Sequence, residues 1–216
     1  MKNTLLRIMR TGAVCALFIL ISCAAGRSAQ AQRWLQNVQV VTPVNDSGPT
    51  GALLDTVTSV LRRQGEDATV RRAPDRPNTT FRELEKNLLG EGLDFTSANQ
   101  LFVRYRLEAD ERGYAEQIKN LYFIYRPQRA GETDVPIFFL EMSDPEIREA
   151  VFGSGTRLHV NEAVFKPFRE QITFPKLVNE NGTSLVEVGD RIIRDSTVAT
   201  SERKRLMNTI RKFSYY

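Results

Sequence analysis

The middle of the chain shows the clearest alternation of apolar and polar side chains. From residue 101 to residue 107 every second position is apolar, and Arg104 and Arg106 lie between the apolar positions. A period of two is typical of a β-strand with one face covered and the other exposed to water. Two more β-rich runs follow after polar loops. The sequence therefore predicts an antiparallel meander with strands at Asn99–Glu108, Glu116–Arg126 and Val135–Met142.

The residues before the meander predict a β-α-β unit. Trp34–Val41 is rich in β-formers, and Ala52–Arg63 repeats leucine and valine at helical spacing. Gly65 stands where a helix C-cap is expected, and Ala68–Arg71 predicts the next strand.

Capping residues predict two short helices. Thr80 and Glu83 have the spacing of a capping box, which predicts a helix that ends at Gly90. Asp144 precedes a proline, an N-cap followed by the residue favoured at the first helical position, and predicts a helix that ends at about Phe152.

The last third of the chain predicts a hairpin and a closing helix. Asn179–Gly182 contains an Asn-Gly pair, which favours a tight turn between strands at Ile172–Val178 and Thr183–Val188. An amphipathic helix is predicted at Thr200–Phe213. These elements together predict the α+β class: one domain with an antiparallel meander, an N-terminal β-α-β unit and a C-terminal amphipathic helix.

The N-terminus has the pattern of an export signal. Three basic residues precede an uncharged run, Thr11–Ala25, whose apolar centre is Ala13–Ile21. That centre is shorter than the roughly 20 apolar residues that a membrane-spanning helix needs. We therefore expect a signal peptide, with an uncleaved anchor as the minor alternative.

Two processing sites compete within this segment. Leu20–Cys23 has the pattern of a bacterial lipobox, which predicts lipidation of Cys23. Ala29–Ala31 is a small-x-small site, which predicts cleavage between Ala31 and Gln32. We therefore divide the chain into an export segment with tether, residues 1–31, and a single α+β domain, residues 32–216.

The export segment accounts for most of the positive charge. The chain has 30 Lys and Arg against 26 Asp and Glu. A chain that starts at Cys23 has 27 against 26, and one that starts at Gln32 has 26 against 26. A nearly neutral domain lacks the basic balance of nucleic-acid-binding proteins, so we expect no nucleic-acid partner.

Cysteine and histidine are scarce, and this excludes several chemistries. Both cysteines lie in the export segment, so residues 32–216 can contain neither an internal disulfide nor a Cys/His zinc cluster. His159 is the only histidine, and a Ser-His-Asp triad would have to use it. We expect no cofactor and no metal.

The remaining catalytic candidates have simpler structural interpretations. Ser154 lies close to His159, but the Gly-Ser-Gly sequence around it is not a nucleophile elbow. A hydrolase could instead use a carboxylate pair, although loop and helix-cap roles are more common. The carboxylates considered are Glu108, Asp110, Glu111, Glu141 and Asp144. We assign no catalytic residue.

The C-terminal helix carries the candidate contact residues. Its cations lie next to an apolar stripe and suit an anionic membrane surface or an acidic partner, although a docked helix with a solvated face has the same pattern. The candidates are Arg203, Lys204, Arg205, Arg211, Lys212, Tyr215 and Tyr216.

These patterns predict a bacterial envelope protein, exported to the periplasmic side and anchored through Cys23. Its expected role is non-catalytic, as a binding, scaffold or assembly factor with protein partners in the envelope. One alternative is a soluble periplasmic or secreted hydrolase that acts on a cell-wall or polymeric substrate. Another is a carrier of a small apolar ligand.

Overall fold

A computed structural model gives the fold of most of the chain after residue 33. It describes residues 34–65, 68–110, 113–129, 131–158, 161–180, 184–188, 191–192 and 196–214. The strands are β1 Trp34–Pro43, β2 Thr69–Val70, β3 Thr79–Thr80, β4 Gln100–Asp110, β5 Gly113–Tyr125, β6 Val135–Glu141, β7 Gly155–Leu158, β8 Asn161–Pro167, β9 Ser184–Val188 and β10 Arg191–Ile192. The helices are α1 Pro49–Gln64, α2 Phe81–Gly90, α3 Pro145–Phe152, α4 Phe168–Gln171, α5 Phe174–Glu180 and α6 Ser196–Ser214, with a 3₁₀ turn at Phe95–Ser97.

A six-stranded sheet organises the fold. Its strand order is β10-β9-β1-β4-β5-β6, and every pairing is antiparallel. Strands β4, β5 and β6 are the predicted meander, which is confirmed. β1 lies inside the sheet, between β9 and β4.

The predicted alternation in β4 is also confirmed. The apolar side chains Leu101, Val103, Tyr105 and Leu107 are all 0% exposed. Arg104 points to the opposite face, where its guanidinium donates to the Gln39 side-chain oxygen of β1 at 3.3 Å. One face of the sheet is therefore covered, and the face with Arg104 is open to water.

The helices supply the other half of a single buried cluster. Side chains from the covered face of the sheet pack against apolar side chains from α1, α2, α3, α4, α5 and α6. Burial of this kind is the main stabilising term in a domain without disulfides. Representative members are Val40, Leu53, Leu84, Phe123, Phe138, Phe168, Phe174 and Leu206.

The N-terminal unit appears in the predicted order of strand, helix and strand. β2, however, is only two residues long and pairs with β3 in a separate small sheet. The two strands of the unit are therefore not neighbours. Both predicted N-caps are confirmed: Thr80 accepts from the Glu83 amide, and Asp144 caps α3. The Glu83 carboxylate, however, accepts from the Thr79 hydroxyl at 2.7 Å.

The predicted hairpin at Ile172–Val178 is wrong. Most of this segment belongs to helix α5, and β9 pairs with β1 and β10 instead. Pro175 is tolerated in the first turn of a helix, and a helical conformation buries Phe174 and Leu177 on one side. The predicted turn residues 181–183 lie outside the described part of the chain.

The outer edge of β6 is covered by the segment that follows β2. The backbone of Arg71 exchanges two hydrogen bonds with Phe139, at 2.7 and 3.2 Å. The Arg72 guanidinium donates to the Pro136 carbonyl at 3.1 Å. These contacts use backbone groups that an exposed edge strand would otherwise offer to another chain.

Candidate functional site

A carboxyl group on the covered face of the sheet is the most unusual polar feature of the fold. Glu116 lies on β5 opposite Leu107, a position that the alternation reserves for apolar side chains. The side chain is partly buried between the sheet and the segment that carries α4 and α5. A carboxylate in such a place loses hydration and needs other hydrogen bonds.

Two donors of the protein satisfy the Glu116 carboxylate. Its Oε1 accepts from the Phe174 amide at 2.8 Å, and its Oε2 accepts from the Tyr114 hydroxyl at 2.9 Å. Phe174 is the first residue of α5, where backbone amides have no partner inside the helix. The carboxylate thus joins strand β5 to the start of α5.

A buried tyrosine holds the same segment from a neighbouring strand. The Tyr105 hydroxyl is completely buried and donates to the Ile172 carbonyl at 2.6 Å. Its ring packs edge-on against Phe174 at a centroid distance of 5.8 Å. β4 and β5 therefore each hold the segment from Ile172 to Phe174 with one side-chain hydrogen bond.

Burial sets the ionisation of this cluster. Loss of hydration raises the pKa of Glu116 from 4.5 to about 7, against the opposing effect of its two hydrogen bonds. Burial also raises the pKa of the Tyr105 and Tyr114 hydroxyls, and the nearby Glu116 charge adds to this effect. The carboxyl group thus changes its charge near neutral pH.

Glu116 also reaches a half-open cavity of about 350 Å³, here called the Glu116 cavity. In it, Arg169 of α4 pairs with Glu149 of α3 at 2.5 Å. The cavity is lined by Glu116, Ile118, Arg148, Glu149, Phe152 and Arg169. It has room for a small molecule and offers two guanidinium groups and one exposed carboxylate.

The chemistry of the Glu116 cavity is limited by its hydrogen bonds. Both oxygens of Glu116 already accept from donors of the protein, so neither is directed at a substrate. The nearby Glu149 carboxylate is held by Arg169. This arrangement suits a structural link more than an acid–base pair.

The catalytic candidates from the sequence are not brought together. The Ser154 hydroxyl donates to the Ala150 carbonyl at 2.7 Å, which satisfies the end of α3. His159 and Glu111 lie outside the described residues. Asp144 is occupied as a helix cap, since its Oδ1 accepts from the Glu146 and Ile147 amides at 2.8 and 3.2 Å.

Two of the other carboxylate candidates lie beside cations. Glu141 faces Arg71 at 3.3 Å, and Glu108 faces Arg106 at 3.8 Å on the open face of the sheet. These pairs are partly exposed, where ion pairs contribute little to stability.

The basic C-terminal helix is docked on the domain. Its buried residues Leu206, Met207 and Ile210 belong to the common core cluster. Lys204, Arg211 and Lys212 are exposed, whereas the Arg205 guanidinium pairs with the Glu202 carboxylate at 2.9 Å. Tyr215, Tyr216 and the predicted processing sites at Cys23, Ala31 and Gln32 lie outside the described residues.

Sequence reasoning missed Glu116 as a site residue. The signal was present, because residues 114, 116 and 118 continue the covered face of β5 and an acidic residue interrupts it. The missing information was the position of α5, since that segment was predicted as a strand. Without the helix start at Phe174, a carboxylate at this strand end has no evident partner.

Comparison with known proteins adds no family assignment: no protein-family model and no curated protein matches the sequence. Among the described residues, no group of three or more Asp, Glu, His or Cys side chains could hold a metal ion. Within the same part of the chain, no helix is both long and apolar enough to cross a membrane.

Proposed function

We propose that the protein is an exported component of a bacterial cell envelope, tethered by a lipid on Cys23, that acts by binding other envelope components and not by catalysis. The proposed location is the periplasmic side of the envelope. The partners are other proteins of that compartment.

The proposal of export is supported by the position of the predicted signal peptide relative to the first strand of the fold. The basic and apolar pattern ends at Ala25, and the described fold begins at Trp34. Processing at either Cys23 or Gln32 therefore removes none of the described strands or helices. A chain without cysteine after residue 23 also needs no oxidant to fold.

The binding half rests on one observation: three candidate reactive groups of the described fold serve structural roles. Glu116 caps α5, Ser154 closes α3 and Asp144 opens α3. An active site needs a nucleophile or acid directed at open space, with a second group to assist it. This arrangement favours binding through the surface over chemistry in a cleft.

The carrier alternative gains no support from the packing. A concave sheet that holds an apolar ligand needs unfilled space over its apolar face. Here the helices cover most of the apolar face, since Phe123 and Phe138 of the sheet are 0% exposed. The open space that remains beside Glu116 is lined mostly by charged side chains.

The first test is the mass of the N-terminal peptide of the mature protein from native membranes and from soluble extract. A diacylated or triacylated Cys23 at the N-terminus is expected in the membrane fraction. An N-terminus at Gln32 in the soluble fraction would refute the tether.

Catalysis is tested by complementation of a strain that lacks the protein. S154A, H159A and E116Q are each expected to restore the wild-type phenotype, because the proposed function needs none of these groups as a reactant. Melting curves control for folding. Complete loss of function in a normally folded variant would refute the non-catalytic role.

A hydrolase at the Glu116 cavity is the second candidate, because a carboxyl group with a pKa of about 7 beside a second carboxyl group, that of Glu149, resembles an acid–base pair. E116Q separates the two proposals. A hydrolase of this kind would lose activity with the amide, whereas a binding protein would keep its function.

A further inference from the structure

The tether and the basic helix meet at one end of the domain. The Trp34 ring, at the start of β1, stacks on the Phe213 ring in the last turn of α6, with a centroid distance of 6.2 Å and an angle of 22°. The chain that leads back to Cys23 therefore leaves the fold beside the C-terminal end of α6. Ten residues separate Cys23 from Trp34, a reach of at most ~40 Å when fully extended.

Three basic residues of α6 lie on one side of the helix. Lys204, Arg211 and Lys212, here called the basic face, fall within about 100° of one another on a helix of 3.6 residues per turn. All three are exposed, and they lie on the side opposite the buried stripe of Leu206 and Ile210. The basic face extends for about 12 Å along the helix.

The other two basic residues of α6 do not belong to this face. The Arg205 guanidinium is engaged by Glu202, the only acidic side chain in the helix, and Arg203 is partly buried. For the three residues of the basic face, no ion pair with an acidic side chain is present in the described part of the fold. Three aligned and exposed cations therefore remain for an external anionic surface.

We infer that the basic face of α6 rests on anionic phospholipid headgroups when the protein is tethered through Cys23. This inference rests on the proposed function, because the lipid must hold the Trp34 end of the domain at the membrane. The apolar stripe of α6 stays in the domain core, so the contact is electrostatic and no helix enters the bilayer.

Because the protein is tethered, a weak contact between the basic face and the membrane is enough to orient the domain. Each basic side chain near an anionic membrane contributes about fivefold to binding, or about 1 kcal/mol, so three together give on the order of 100-fold. For a free protein this is a modest affinity. For a tethered domain the contact is intramolecular and is favoured by a high effective concentration. The domain is thereby oriented with α6 along the membrane.

Trp34 offers a probe of this orientation, since it is the only tryptophan of the chain. The lipidated protein is reconstituted in vesicles that contain a dansyl-labelled headgroup lipid, and energy transfer from Trp34 reports its distance from the surface. Vesicles of phosphatidylcholine alone are compared with vesicles of equal parts phosphatidylcholine and phosphatidylglycerol. Transfer is expected to be high only with phosphatidylglycerol, and to fall at high salt as the charges are screened.

The test variant is K204Q/R211Q/K212Q, and its matched control is R63Q/R76Q/K86Q, which removes the same charge from exposed sites on α1, α2 and the loop between them. The test variant is expected to give low transfer in both kinds of vesicle, and the control is expected to match the wild type. The salt series on the wild type keeps the proposal testable if the test variant folds poorly.

The outcomes separate the two proposals. In one outcome Cys23 carries lipid, but energy transfer is the same with and without phosphatidylglycerol, at low and high salt, and in the test variant. This result overturns the membrane contact and leaves the tether intact. An N-terminus at Gln32 overturns both. Equal losses in the test and control variants would show a general charge effect, and this also overturns the basic face.

Discussion

Replacement of Glu116 by glutamine tests the link between β5 and α5 directly. Glutamine has the shape of the protonated acid and carries no charge. Its oxygen can accept from the Phe174 amide, and the Tyr114 hydroxyl can rotate to accept from the new amide group. The variant should therefore resemble the wild-type protein in its protonated form.

The expected change in the free energy of unfolding follows from the pKa of Glu116. A rise of the Glu116 pKa from 4.5 in the unfolded chain to about 7 in the folded protein corresponds to about 3 kcal/mol. Between these two pH values the folded state binds more protons than the unfolded state, so the free energy of unfolding decreases as the pH rises. The loss begins near pH 4.5 and is complete just above pH 7.

The assay is urea denaturation of wild type and E116Q across this pH range. The wild type is expected to lose stability from pH 5 to pH 8, and E116Q is expected to change little. At pH 8 the variant should then be more stable by up to about 3 kcal/mol, or roughly 6–12 °C in Tm. E149Q is the control, because Glu149 lines the same cavity with a side chain that is 70% exposed.

The reasoning would be refuted by a wild type whose stability rises over this range, or by an E116Q variant that keeps the wild-type slope. In either case burial would not govern the ionisation of Glu116. A slope that disappears equally in E149Q would place the effect on the cavity as a whole.

Three further predictions concern stability and are measured by urea denaturation. Tyr105→Phe removes the donor to the buried Ile172 carbonyl and should cost about 1–3 kcal/mol; an unchanged midpoint would show that this carbonyl has another partner. Gly51→Ala should cost about 1–3 kcal/mol, because the new Cβ would lie 2.5 Å from the Asn45 carbonyl oxygen. Gly90→Ala, where a Cβ meets nothing within 4 Å, should instead stabilise α2 by about 0.5–1 kcal/mol, and a loss there would contradict the open geometry.

Local patterns predicted the elements whose partners lie close in sequence. β4 shows its covered face directly in the alternation of residues 101–107, and Asp144 marks the start of α3. Such signals depend on neighbouring positions only, namely side-chain period and unsatisfied amides at a helix end. The same signals were enough to predict the α+β class.

Tertiary contacts decided the features that the sequence did not predict. The segment at Ile172–Val178 contains several β-formers, but most of it folds as α5, where the Glu116 carboxylate meets the first amide of the helix. That carboxylate comes from a strand 58 positions earlier. The same distance in sequence explains why Glu116 itself went unnoticed as a site residue.

The inner position of β1 has a consequence for the order in which the chain can fold. Val38 of β1 pairs with Val188 of β9, 150 positions later. β1 therefore cannot form all of its strand pairings until almost the whole chain is available. Pairings of such long range slow folding. For a chain that is threaded N-terminus first through a translocation channel, this delay keeps the leading segment unfolded during transit. Under the proposed export, folding would be completed only on the far side of the membrane, after β9 has emerged.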